Sequence, residues 1–362
     1  MKVCFLNVNM AGGGAERVSA LLLNHMNLED GYDMHLITDT IAPFAYQVEL
    51  SENHIHPLYK SEKEKKGNFS FLYMVKNVRR YLKEIKPDVL VCIMPWMTLV
   101  GTLAKIGLPV KLIASDHTSI DRPVHFHIKF IKEYIYPIAD AVTLLTETDA
   151  KILRDKLPKK VVIPNPLAFT PISDYNGNRK NNILAVGRLD VWDIKGFDLL
   201  IRAWGLIAKK HAKWKLEIAG TGAESSKQKL LEIAKENGVL DQFELLGFRK
   251  DIDVIMRESS IFALTSRIEG FGMALIEAMS QGCACVSFDN GGRQREIIRN
   301  SKEGLIVDKY DIKLLAQQID YLIINEDARQ TLAKGGVLRS EDYSIENIAS
   351  IWDKMFNKLV EK

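Results

Sequence analysis

The chain has 362 residues, 47% of them hydrophobic and 26% charged. That composition suits an ordinary globular protein with a full core, and the length favours two domains. A net charge of only +3 argues against a dedicated nucleic-acid binder, and no apolar run reaches the ~18 residues of a membrane span.

The first half alternates strand-like and helix-like segments. Val3–Val8 reads as a strand too short for a signal peptide, followed by Gly12-Gly13-Gly14 and a helix from Ala15 to Asn27. Met34–Thr38 is a second strand and Phe71–Ile85 an amphipathic helix. Val89–Met94 and Val110–Ser115 are strands, Ile128–Ala139 is helical, and Ala141–Leu145 is a strand. Lys151–Lys156 is a short helix and Val161–Ile163 a last strand. Pro164-Asn165-Pro166 closes this half, and Pro171–Asn182 reads as a linker.

The alternation then restarts. Strands are expected at Ile183–Val186, Trp214–Ala219, Phe243–Leu246, Ile261–Leu264, Ala284–Phe288 and Gly304–Val307. Helices are expected at Phe197–Lys210, Ser225–Asn237, Asp251–Glu258, Ala274–Ser280, Arg293–Ile298, Ile312–Ile324 and, in the tail, Ile345–Val360. Apolar strands alternating with helices predict an α/β protein built from two Rossmann-like, doubly wound parallel-sheet domains, 1–168 and 169–344, facing a cleft. The C-terminal helix, about 345–362, is expected to pack back on the first. Cys4, Cys92, Cys283 and Cys285 lie in or beside strand-like runs, and a lone C-x-C completes no zinc set. They read as small core residues in a reducing, cytoplasmic setting.

The most informative stretch is Glu269-Gly270-Phe271-Gly272-Met273-Ala274-Leu275-Ile276-Glu277. A buried strand, a glycine turn and a helix start expose free N–H groups at the positive end of a helix dipole, a geometry that holds phosphate. The flanking carboxylates can accept hydrogen bonds from sugar hydroxyls, Glu277 from a ribose. Arg188 and Lys195, in the loop Gly187–Gly196 after a strand, can grip a diphosphate. In the first turn, Gly12 and Gly14 fit a dinucleotide fingerprint, but Arg17 replaces its third glycine. His117, ending Ser115-Asp116-His117, would point into the cleft, to bond a sugar hydroxyl or aid proton movement. Asp251-Ile252-Asp253 spells D-x-D, for which N-capping by Asp251 is a cheaper explanation than a metal. Gly291-Gly292 with Arg293 and Glu296 is either substrate contact or only a turn.

Nearly the whole chain resembles the family 4 retaining glycosyltransferases of the GT-B fold. The resemblance lies in Gly13–Arg17, Ser115-Asp116-His117, Ile163-Pro164-Asn165-Pro166, Gly187-Arg188 through Lys195-Gly196, and the pair Glu269 and Glu277. It implies a hexosyltransferase-type reaction from a nucleoside-diphosphate sugar, with UDP the best guess, to a glycan or lipid-linked acceptor. Cell-surface polysaccharide or lipopolysaccharide assembly would be the setting, without a metal. The implied catalytic set is Arg188, Lys195, Glu269 and His117. The implied donor set adds Gly13, Gly14, Phe248, Arg249, Phe271, Gly272, Met273, Ala274, Leu275 and Glu277. One departure stands out: many relatives have Gly-Pro-x-Glu-Ile where this chain has Gly292-Arg293-Gln294-Arg295-Glu296-Ile297.

Two basic, aromatic segments, Lys60–Lys86 and Arg122–Lys132, are open to two readings. They could touch an anionic membrane surface, placing the protein peripherally on its inner face, or they are core-packed helices with solvated outer faces. Two other functions remain open as alternatives. A non-catalytic nucleotide-sugar binder would not need the charge-stabilising groups. A nicotinamide-dependent oxidoreductase would rest on the broken glycine turn and on Asp39.

Overall fold

The computed structural model describes residues 1–29, 31–153, 157, 159–175 and 177–361. The chain forms two compact units, one of Met1–Ala168 with Ile345–Lys362, the other of Phe169–Ser344.

The first unit is a parallel sheet in the order β3-β2-β1-β4-β5-β6-β7. Its elements are β1 (Lys2–Asn9), α1 (Gly14–Asn27), β2 (Asp33–Asp39), β3 (Ile55–Pro57), α2 (Glu62–Lys66), α3 (Ser70–Ile85), β4 (Val89–Ile93) and α4 (Met94–Ala104). There follow β5 (Lys111–Ser115), α5 (Phe126–Phe130), β6 (Ala141–Leu144), α6 (Glu147–Leu153) and β7 (Lys160–Val162). The central strands are buried on both faces, as βαβ crossovers require: Val3 to Leu6 and Val89 to Cys92 are all sealed from solvent.

Several expectations need correction here. Met94 does not end a strand; it takes φ +72, and Pro95 at the first turn launches α4. The expected helix Ile128–Ala139 is three windings in series: the end of α5, a π-turn at Ile131–Ile135 and a 3-10 turn at Tyr136–Ile138. The helix expected over Lys151–Lys156 instead runs Glu147–Leu153, and residues 154–156 lie outside those described.

The second unit is a parallel sheet in the order β10-β9-β8-β11-β12-β13. It comprises β8 (Lys180–Val186), α7 (Trp192–Lys195), α8 (Phe197–Ile207), β9 (Lys215–Ala219), α9 (Glu224–Glu236), β10 (Phe243–Gly247) and α10 (Ile252–Glu258). It continues with β11 (Ser259–Leu264), α11 (Met273–Ser280), β12 (Ala284–Phe288), α12 (Arg293–Ile297), β13 (Leu305–Val307), α13 (Ile312–Ile324) and α14 (Glu326–Ser340). Its core packs Trp204, Phe197 and Leu200 against Ile183, Ile218 and Ile261.

The expected linker 171–182 is partly structural. Arg179 donates to the carbonyls of Ser259 (2.9 Å) and Gln281 (2.8 Å), and β8 begins at Lys180. Helix α14 falls where no element was expected, and it runs unbroken through Gly335-Gly336. Those glycines serve close packing: a Cβ on Gly335 would lie 1.9 Å from the Lys302 carbonyl.

The last helix, α15 (Ile345–Val360), belongs to the first unit. Trp352 meets Phe5 at 6.3 Å between ring centroids, and Tyr32 donates its hydroxyl to Asp353 Oδ1 at 2.6 Å. All four cysteines are buried free thiols.

Candidate functional site

In the second unit the strand order reverses between β8 and β11, since β8 continues to β9 on one side while β11 continues to β12 on the other. Loops at the carboxyl ends of such neighbouring strands diverge and leave a crevice. The loop after β8 carries Arg188 and Lys195, and the loop after β11 carries Glu269 through Gly272.

The two loops are laced together by backbone. Arg267 N–H donates to the Ile194 carbonyl (2.7 Å), and Thr265 Oγ1 donates to the Gly196 carbonyl (2.9 Å). Gly196 has φ +66, and a Cβ there would lie 1.9 Å from the Thr265 carbonyl oxygen. Only glycine permits that approach. Arg267 also forks onto both Asp198 oxygens at 2.6 and 2.7 Å, anchoring the loop to the start of α8.

Lys195 Nζ lies 3.0 Å from Glu269 Oε2, so a lysine and a glutamate 74 positions apart form one ion pair. Arg188 is exposed, and its guanidinium makes no ion pair or hydrogen bond among the described residues. Gly272 takes φ +108 at the start of α11, with Met273, Ala274 and Leu275 forming the first turn. Phe271 is buried edge-on against Tyr343, ring centroids 5.5 Å apart. Glu277 is buried within α11. Phe248 is 67% exposed at the end of β10. Arg249 next to it grips Asp251 through both carboxylate oxygens, at 2.9 and 2.7 Å. That grip corrects the expected cap. Asp251 makes no side-chain bond to α10, because the charge-assisted guanidinium contact takes both oxygens.

Sequence reasoning missed Gln294, Asn290 and Thr265. Gln294 is fully buried; its Oε1 accepts from Asn290 N–H (2.8 Å) and its Nε2 donates to the Phe271 carbonyl (3.3 Å). Asn290 Nδ2 in turn donates to the Ser266 carbonyl (3.0 Å). The β12 loop thus holds the β11 loop from below. The departure from Gly-Pro-x-Glu-Ile was the one available signal. It places a buried arginine, Arg293, and a buried glutamine where neither would be needed for a simple turn.

In the first unit, Gly13 and Gly14 stand at the start of α1. Arg17 follows on that helix, over the Tyr46 ring, beside a shallow groove of about 260 Å³ also lined by Asn24 and Ala168. Asp39, the acid on which an oxidoreductase reading would rest, is buried and paired with Lys65 at 2.7 Å. His117 Nε2 lies 3.1 Å from Ser115 Oγ, and the Asn165 side chain of the Pro-Asn-Pro motif is a polar neighbour of the ring. Burial pulls His117 down to about 4, against the pull of Asp116, so the ring is neutral at pH 7. Asp116 is itself buried, 2.6 Å from Lys132 Nζ. Among the described residues one trio of metal-type side chains converges, Asp33, His35 and His54. It lies at the amino ends of β2 and β3, not in either set above, and its Asp33 also faces Lys2 at 3.5 Å.

Residues 12–168 match the family model described as Glycosyltransferase Family 4, and residues 174–338 the one described as Glycosyl transferases group 1. The chain is 31% identical, over 95% of its length and 96% of the relative's, to the amylovoran biosynthesis glycosyltransferase AmsD of Erwinia amylovora. It is 25% identical, over 98% of both chains, to a Campylobacter jejuni α-1,4-N-acetyl-D-galactosaminyltransferase named for a diphospho-undecaprenol-linked substrate. Anabaena HepE, solved in complex with UDP, has the same fold: TM-score 0.81, 19% identity, with 99% of this chain and 100% of that one covered. The protein therefore belongs to the family 4, group 1 glycosyltransferases of the GT-B fold.

Proposed function

We propose that this glycosyltransferase moves a sugar from a nucleoside diphosphate, UDP by preference, to a hydroxyl of a lipid-linked or glycan acceptor in cell-surface polysaccharide assembly. AmsD, named for polysaccharide biosynthesis, and the Campylobacter enzyme, named for a lipid-linked glycan, support that setting. HepE supports UDP as the nucleotide. The reading includes a retained anomeric configuration, a place in class EC 2.4 and work at the cytoplasmic face of a membrane, each supported by the family resemblance alone.

The observation that carries the reading is the pairing at the β8–β11 reversal: a free Arg188, the Lys195–Glu269 pair and the N-terminus of α11 in adjoining loops. As the anomeric bond loosens, negative charge grows on the leaving diphosphate. Arg188 and Lys195 meet it as cations, and the N–H groups from Gly272 to Ala274 meet it as oriented dipoles. Lys195 is held at the site by Glu269 until the diphosphate competes for it. Glu269 then faces the donor sugar, Glu277 takes the ribose hydroxyls, and Phe248 with Arg249 frames the base. A neutral His117 bonds a sugar hydroxyl in this scheme; with its affinity for protons so reduced, it is a poor general base. These cations do the work that a metal does in other transferases, so turnover persists in chelator.

The test is a thermal-shift panel of nucleotides and nucleotide-sugars, followed by transfer assays with the sugars that bind. A ligand at 100 times its dissociation constant adds ~2.7 kcal/mol of stability. No shift with any nucleoside diphosphate or its sugar would end the reading. Donor binding without transfer or hydrolysis would leave a binding protein.

A further inference from the structure

The winding from Phe126 to Ile138 presents four apolar side chains at four-residue steps: Phe126 (86% exposed), Phe130 (53%), Tyr134 (57%) and Ile138 (61%). On its other side Ile131 and Tyr136 are sealed in the core. A four-residue step overshoots one turn of an α-helix, which has 3.6 residues per turn. It falls short of one turn in the wider π-winding. Passing from α5 into the π-turn at Ile131–Ile135 therefore offsets the drift from Phe126 to Tyr134, and Ile138 closes the 3-10 turn that follows. The Phe130 and Tyr134 rings touch along it, centroids 4.9 Å apart.

The row has a cationic border. Residues 122–138 hold Arg122, Lys129 and Lys132, with His125 and His127, against a single acid, Glu133; Lys132 is paired with the buried Asp116, and Arg122 and Lys129 are exposed. Edge contacts extend the surface: His127 meets Trp96 at 6.2 Å, and Trp96 meets Phe71 of α3 at 5.4 Å. Helix α3 begins beside the exposed Phe69 (64%) and carries the exposed Leu72 (59%), within a segment, 60–86, of nine basic and three acidic residues. Aromatic tips bordered by cations are the chemistry of an interfacial helix, its apolar side in the acyl boundary and its lysines among anionic headgroups.

We propose that the Phe126–Ile138 face, continued by the start of α3, is the surface on which this protein rests on an anionic lipid bilayer. The inference deepens the reading above, in which the acceptor is lipid-linked. It also gives the surface a route to the site. Lys132, on the same winding, holds the buried Asp116 at 2.6 Å and Thr118 Oγ1 at 2.9 Å, the two residues flanking His117. Seating the winding thus fixes the height of the His117 loop above the membrane.

The experiment is flotation of the full-length, untagged protein with phosphatidylcholine vesicles, with and without phosphatidylglycerol. Wild type should float with the anionic vesicles and far less with the neutral ones, and 1 M salt should release much of it. Phe126→Ser with Phe130→Ser should lower the bound-to-free ratio about tenfold or more. Its melting temperature, and transfer to a short water-soluble acceptor, should stay at wild-type values. Wild type remaining in solution, or a double variant that floats equally well, overturns the proposal. So does a double variant whose only change is loss of a dimer, which would make the face a contact between copies. Flotation needs no turnover, so inactivity toward every donor would sink the enzymatic reading and leave this one standing.

Discussion

Gly196→Ala tests whether the two loops at the strand-order reversal act as one device. Gly196 has φ +66, and alanine there costs about 1 kcal/mol from backbone strain alone. The added Cβ would also stand 1.9 Å from the Thr265 carbonyl oxygen, so the β8 and β11 loops must part by about 1 Å. Parting them strains or breaks the Thr265 Oγ1 bond to the Gly196 carbonyl, worth about 1 kcal/mol. The expected loss is about 2–4 kcal/mol, read by urea unfolding. Gly238→Ala is the control: φ is +68 there too, but nothing lies within 4 Å of the new Cβ, so only the strain of about 1 kcal/mol should appear. Activity should fall further than stability. Lys195 and Glu269 ride on the separated loops, and a 1 Å misplacement at a reacting centre costs ~10²-fold. The assay is donor kcat and KM at a temperature where both variants remain folded. If Gly196→Ala matches Gly238→Ala in stability and kcat/KM, the loops are not coupled as described.

Arg188→Ala and Lys195→Ala should each lower kcat by ~10²-fold, on the order of 3 kcal/mol at the transition state, with far-UV circular dichroism unchanged; wild-type turnover in both would remove the diphosphate assignment. Gln294→Leu leaves Asn290 N–H and the Phe271 carbonyl without partners, so it should cost about 1–3 kcal/mol in urea and raise the donor KM; a wild-type KM would limit Gln294 to packing. His117 has an ordinary value of 6.5 and is lowered to about 4, so between those values the unfolded chain binds the extra proton and stability falls as pH falls. The loss between pH 7 and pH 5 is at most about 2 kcal/mol, and it should shrink in His117→Gln; equal slopes in calorimetry at the two pH values would refute the burial argument. Full turnover should survive an excess of EDTA on protein freed of divalent ions, and a loss restored by magnesium would contradict catalysis by side-chain cations.

Parallel strands were legible because both their faces are buried, which writes them as unbroken apolar runs such as Ile261–Leu264. The same signal concealed α4. Val89 to Met97 is one apolar run, and nothing periodic marks where β4 stops and a buried helix begins. The stop is conformational, at Met94 with φ +72. Helix α14 was hidden by a glycine pair whose purpose, close approach to Lys302, exists only in the folded chain. The site divides in a similar way. Its residues could be nominated one at a time, because a cation after one strand and a glycine turn after another are local features. Their partnership could not. Lys195 meets Glu269 only because β8 pairs with β11 and not with its chain neighbour alone, and that adjacency is a property of sheet order. The Gln294 brace belongs to the same level, since it joins the loop after β12 to the loop after β11. Local chemistry thus proposes the groups and strand order decides which of them share a ligand. For that reason the sharpest test of the site is a methyl group at position 196, between two loops, and not the removal of a charge within one.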